Sequence, residues 1–169
     1  MNKIKLIALD VDGTLTDGKI YTDDNQNNLK AFDVKDGFII VKWIEYGGKV
    51  AIITGKISNI VNRRGEELKI NYIRQGIKNK IAALNEILKK ENIGLENVCY
   101  IGDDINDIGI MSRVGLSGAP ADASLEVKEL AHIVASRNGG KGAVREIIEL
   151  IMKSNGMWAN VIKEYLNEE

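Results

Sequence analysis

The sequence predicts an α/β fold, a doubly wound and mostly parallel sheet with helices on both faces and a short β-hairpin flap. Three observations carry that expectation. Apolar runs of strand length alternate with segments of helical periodicity along nearly all of the 169 residues. Strands that alternate with helices join through right-handed crossovers into a parallel sheet clad on both sides. Acidic residues follow directly on two of the apolar runs, at the carboxyl ends of strands where such sheets bind their ligands. The chain reads as one domain, 1–169, with the hairpin over 18–34, a C-terminal tail and helix over 139–169, and no insertion large enough for a cap domain.

The first strand, Ile4–Leu9, is interrupted only by Lys5 and delivers Asp10 and Asp12 to a turn at Gly13. Residues two apart on a strand share a face, so a strand continuing through Asp12 points both carboxylates the same way, where neither ionises cheaply without a cation or a proton. The pair asks for a hard metal or for acid/base chemistry. The plainer alternative is a turn closed by Asp12-Gly13, with Asp10 capping a loop. An EF-hand loop beginning at Asp10 fails, because Leu15 stands where Gly is needed and Tyr21 where Glu is needed.

Next, Gly18–Tyr21 and Leu29–Val34 flank a polar stretch, 22–28, which predicts a hairpin with a solvated loop lying beside Asp10. Asp36-Gly37 opens a helix that Gly47-Gly48 closes. A strand over Lys49–Thr54 ends in Thr54-Gly55 and leads to a helix over about 58–68. There follow a strand near 71–74, a helix over 78–91, a strand over 97–101, a short helix over 106–114 and a strand over 115–118. A strand near 132–134 precedes a helix over 142–152.

Composition narrows the function. The net charge is −1, with no basic stripe interleaved with aromatics, so nucleic-acid binding is not indicated. Cys99 is the only cysteine and sits in the apolar run Val98-Cys99-Tyr100-Ile101, which reads as core strand and excludes a disulfide framework. No apolar run approaches the roughly 18 residues of a membrane-spanning helix, and Met1-Asn2-Lys3 leads into the first strand without a signal peptide, so a cytoplasmic protein is expected.

Three further places carry chemistry. Gly102-Asp103-Asp104-Ile105-Asn106-Asp107 follows a strand as the first acidic pair does, and could complete an oxygen shell for Mg²⁺; alternatively Asp103 and Asp104 cap a helix. Thr54 offers a hydroxyl at a strand end, backed by the Gly55 amide and a helix N-terminus, a combination suited to phosphate oxygens. In Gln75-Gly76-Ile77-Lys78-Asn79-Lys80, a lysine beginning a helix gains more from an anion than from the helix dipole, and the residues alone do not choose between Lys78 and Lys80. Gly140-Lys141 lacks the remaining Walker residues, no G-x-G-x-x-G occurs, and the single histidine, His132, reads as structural.

Asp10-Val11-Asp12-Gly13-Thr14-Leu15 resembles the first motif of the haloacid dehalogenase superfamily, and Thr54, Gln-Gly-x3-Lys80 and Asp103 with Asp107 resemble the other three, in order. Within it, Ile-Thr-Gly-Lys-x-Ser and the tail Gly-Gly-Lys-Gly-Ala-Val-Arg-Glu resemble the capless octulosonate 8-phosphate phosphatases, with nonulosonate 9-phosphate phosphatases as near relatives. The resemblance implies a Mg²⁺-dependent phosphomonoesterase for a sugar-acid phosphate. Asp10 would be the nucleophile and Asp12 the acid and base. Asp10, the Asp12 backbone carbonyl and Asp103 would hold Mg²⁺, with Thr54, Gly55 and Lys80 on the phosphoryl oxygens. Asp104 would hold metal-bound water and Asp107 would orient Lys80. Lys56, Arg64 and Lys141 are the candidates for reading the sugar; an ion pair to Glu66 or Glu67 competes for Arg64. Lys56 stands where the octulosonate enzymes usually have Arg, and Ile39 where they usually have Gly. A receiver-like phosphoacceptor domain would share the acidic pair, Thr and Lys, but carries its acceptor Asp at the end of the middle strand, near where this chain has Thr54-Gly55. The resemblance also implies a homotetramer assembled through the hairpins, and the glycine-rich tail from Gly139 is expected to close a neighbour's site.

Overall fold

The computed structural model describes residues 3–25 and 27–166. Six parallel strands form the sheet: β1 (Leu6–Leu9), β4 (Lys49–Ile53), β5 (Tyr72–Arg74), β6 (Val98–Ile101), β7 (Leu116–Ala119) and β8 (Ile133–Val134), in the order β5-β4-β1-β6-β7-β8. The chain runs outward from β1 to β5 on one side, then returns and runs outward from β6 to β8 on the other. The topological switch therefore lies between β1 and β6, where Leu9 pairs with Ile101.

Side-chain alternation divides the core in two. Ile7 and Leu9 of β1, with Cys99 and Ile101 of β6, pack on the face covered by α1 (Val34–Glu45), α2 (Asn59–Glu67) and α6 (Ala143–Ser154). Leu6, Ala8, Val98 and Tyr100 face α3 (Lys80–Glu91), α4 (Ile108–Met111) and α5 (Leu125–Leu130). Every residue of β1 and β6 is buried, as expected for continuous apolar runs in a sheet clad on both faces.

Four sequence expectations need correction. The hairpin is shorter than read, β2 (Tyr21–Thr22) against β3 (Asn28–Leu29), because the Asp33 side chain caps the backbone amides of Lys35 and Asp36 and starts α1 at Val34. The strand does not continue through Asp12: β1 ends at Leu9, and the Val11 carbonyl accepts from Thr14, Leu15 and Thr16 to form a turn. Helix α5 has too few residues for periodicity to show it. The segment from Gly139 is not a free tail. The Gly140 amide donates to the Thr14 carbonyl and the Gly139 amide to Asp122, α6 buries Ala143, Val144, Ile147, Ile148, Ile151 and Met152, and α7 (Trp158–Leu166) returns to α1, where Glu164 accepts from Tyr46 and Lys42.

Candidate active site

Adjacent strand ends bring the acidic motifs together. The Asp10 amide donates to the Ile101 carbonyl (3.0 Å), extending the β1–β6 register by one residue and placing Asp10 beside the segment that begins at Gly102. Carboxylate oxygens of Asp10, Asp103 and Asp107 lie within 4.8 Å of one another. The approach is close: a Cβ on Gly13 would stand 2.0 Å from an Asp103 oxygen, and Gly13 has φ +90°, so both space and backbone require glycine there.

One ammonium serves this cluster. Lys80 Nζ donates to Asp107 (2.6 Å), Asp10 (2.8 Å) and the Tyr100 hydroxyl (3.1 Å), which uses all three of its N–H bonds. Asp107 is completely buried and also accepts from Tyr100 (2.6 Å) and from the amides of Asp103 and Asp104. Burial pulls the Lys80 pKa down, but Asp10 and Asp107 more than offset it, and the net direction is up. Burial raises the Asp10 carboxyl despite Lys80, with Asp107 adding to the rise. Among the described residues Asp103 has only the Thr14 hydroxyl (3.2 Å) as a side-chain donor, and burial, then Asp10 and Asp107, push it up to about 7. Three carboxylates against one cation, with Asp107 already satisfied, is a donor set that fits a divalent cation on Asp10 and Asp103.

The other expected residues are placed less uniformly. Thr54 is buried one residue beyond β4, its amide bonded to Arg74 and its carbonyl to the Ile77 amide. Gly55 follows it, exposed, but α2 begins only at Asn59, and the Ser58 amide is already taken by Gln75; the helix N-terminus does not back Thr54 directly. The Asp12 carboxylate lies outside the buried cluster and is paired with Lys30 and, at 3.7 Å, with the exposed Lys56. Asp104 is exposed and caps a 3₁₀ turn, which is the capping alternative. Arg64 forms the competing ion pair with Glu67 (2.9 Å) and lies over the Phe32 ring and against Gly37 of α1. Lys141 is exposed at a cleft of about 520 Å³ that Lys35, Arg137 and Arg145 also line and to which Asp10, Asp103 and Asp107 do not contribute. His132 bonds Ser117 and Cys99 is fully buried.

Two residues escaped the sequence reading. Tyr100 lies inside an apolar run, where its hydroxyl was the only signal that a buried partner was needed. Lys30 sits beside a polar loop and reads as a solvated charge.

The family model for a haloacid dehalogenase-like hydrolase matches residues 50–148. The chain belongs to that family. This haloacid dehalogenase-like hydrolase is 44% identical over 153 residues to the 3-deoxy-D-manno-octulosonate 8-phosphate phosphatase KdsC of Escherichia coli K12, covering 90% of this chain and 81% of that protein. A probable YrbI family phosphatase from Pseudomonas syringae superposes with a TM-score of 0.96 at 39% identity, over 98% of this chain and 94% of that one. The octulosonate 8-phosphate phosphatase of Moraxella catarrhalis, solved with magnesium ion, phosphate ion and KDO, gives 0.90 at 38% identity, over 95% and 92%.

Proposed function

We propose that this hydrolase is a magnesium-dependent phosphatase that converts 3-deoxy-D-manno-octulosonate 8-phosphate to the free sugar acid and orthophosphate. The observation that carries the reading is the buried Asp10, held by Lys80 among three carboxylates at the β1–β6 switch, in a chain so similar to KdsC over nearly its whole length. A carboxylate oxygen of Asp10 attacks phosphorus, forming an aspartyl-phosphate as the bond from phosphorus to the sugar oxygen breaks. Asp12 gives its proton to that oxygen. It then takes a proton from the water that attacks phosphorus, and Asp10 is released with orthophosphate. Lys80 turns the donor it gives Asp10 to a phosphoryl oxygen as Asp10 takes the phosphoryl group, Thr54 holds another, and Asp107 and Tyr100 hold Lys80. Asp10 and Asp103, with the Asp12 backbone carbonyl, would hold Mg²⁺, which when bound neutralises phosphoryl charge.

Turnover of octulosonate 8-phosphate tests the reading, against nonulosonate 9-phosphates as the competing substrates. Asp10→Asn, nearly the same shape without the nucleophile, abolishes turnover, and excess EDTA does the same until Mg²⁺ is restored. Full activity of either preparation overturns the mechanism. The assembly is a homotetramer built through the hairpins, a reading supported by the exposed apolar side chains of Ile20, Leu29 and Val34 on and beside the flap. Among the described residues no helix is long and apolar enough to cross a membrane.

A further inference from the structure

The flap carries a catalytic consequence that its small size conceals. Strand β1 stops before Asp12, and the turn that follows fixes the Asp12 backbone but leaves its side chain to be aimed by something else. Among the described residues the Asp12 carboxylate accepts a hydrogen bond from one donor only, Lys30 Nζ. Lys56 approaches the other oxygen at 3.7 Å from a side chain that is 67% exposed, too loosely to set an orientation.

Lys30, by contrast, is held from both directions. It directly follows β3, and three residues later Asp33 begins the cap of α1. At the other end of the hairpin, the Tyr21 hydroxyl donates to Asp17 (2.6 Å), tying β2 to the loop that contains Asp12. Only 17% of the Lys30 side chain is exposed, so its charge is partly withdrawn from water and directed at one acceptor.

We propose that Lys30 is the positioning residue for Asp12. The hairpin then works as part of the proton-transfer apparatus and does more than cover the site. This rests on the reading of Asp12 as proton donor and acceptor. A group that must meet the leaving oxygen in one step and a water in the next needs its rotamer fixed, and among the described residues Lys30 alone donates to it.

The leaving group tests it. An alkyl phosphate needs Asp12's proton far more than p-nitrophenyl phosphate does, so loss of orientation falls unequally on the two. Lys30→Cys is expected to lower kcat on octulosonate 8-phosphate by a factor at least about tenfold greater than on p-nitrophenyl phosphate, a fraction of what a general acid contributes. Alkylation with 2-bromoethylamine rebuilds a lysine-like ammonium at position 30 and restores the ratio. The label is confined to that position, because Cys99, the only native cysteine, is fully buried and its thiol pKa is pushed up by burial. In an Asp12→Asn background, Lys30→Met adds no further loss. Equal losses on both substrates, a loss confined to KM, failure of aminoethylation to restore kcat, or additive losses in the double variant would each overturn the proposal. Should the wild type cleave p-nitrophenyl phosphate but not the sugar phosphate, the assigned substrate fails instead, and the same comparison runs with glucose 6-phosphate.

Discussion

Asp103 has a carboxyl raised to about 7 by burial first and by Asp10 and Asp107 next, and this gives the metal-free protein a definite pH dependence. The unfolded chain releases that proton near the ordinary value of 3.8, whereas the folded chain keeps it to about 7. The folded state therefore binds more protons between these values, and this group's stabilisation is present below about pH 4 and lost as the pH rises through about 7. Mg²⁺ takes over from the proton, so it should raise Tm more at pH 8 than at pH 5; calorimetry showing the same increment at both would remove Asp103 from the metal site. Tyr100→Phe probes the neighbouring network. It strips a buried N–H of Lys80 and a buried oxygen of Asp107 of one partner each, and a cost of about 1–3 kcal/mol is expected in denaturant, together with roughly tenfold slower turnover, equivalent to about 1.4 kcal/mol in the barrier. Stability and kcat both unchanged would mean that the hydroxyl only fills space.

The Gly140 amide, bonded to the Thr14 carbonyl, makes this segment a brace for the Asp10–Asp17 loop of its own chain, and the Gly139 amide anchors it on Asp122. A Cβ at Gly139 would lie 1.8 Å from the Gly13 carbonyl oxygen. Gly139→Ala must therefore push the loop that carries Asp12, and is expected to cost about 1–3 kcal/mol and to reduce turnover by about two orders of magnitude, as misplacement of reacting groups does. Gly142→Ala is the contrast: φ is +97° but nothing lies within 4 Å, so about 1 kcal/mol of backbone strain should appear in denaturation with turnover nearly intact. If both variants behave alike, the brace does not act on the loop. These elements also show why the sequence was readable in some places and not in others. Asp10, Lys80, Asp103 and Asp107 converge because each stands at or just beyond the end of a strand or the start of a helix, positions that apolar runs mark clearly. The extent of the hairpin was misjudged because Asp33, the true cap, lies inside Leu29–Val34, which also reads as a strand. The glycines looked flexible, since a sequence does not show that their missing side chains are what let two loops touch.

For the molecule as a whole, the parallel sheet was legible because both faces are covered and β1, β4 and β6 are apolar runs, apart from Lys49 at the start of β4. The proposed assembly lies outside one chain's periodicity; it comes from the family resemblance, and the exposed Ile20 and Leu29 on the flap support it. Sedimentation should give four copies, and replacing Ile20 and Leu29 together with Ser should yield smaller species that still fold; an unchanged sedimentation coefficient would place the interface elsewhere. Cutting the chain before Gly139 is no test of closure, because it removes the six buried side chains of α6 and exposes the core. The β1–β6 pairing also has a meaning in time. Leu6 waits for Val98, a partner from the far half of the chain, whereas β4 reaches β1 much sooner. Parallel pairings of this separation form slowly, so the crowded carboxylates meet only when the sheet is nearly complete. A cation can then neither guide nor hasten folding, and it holds the door only once it is shut: in stopped-flow experiments Mg²⁺ should leave the refolding rate unchanged and slow unfolding alone.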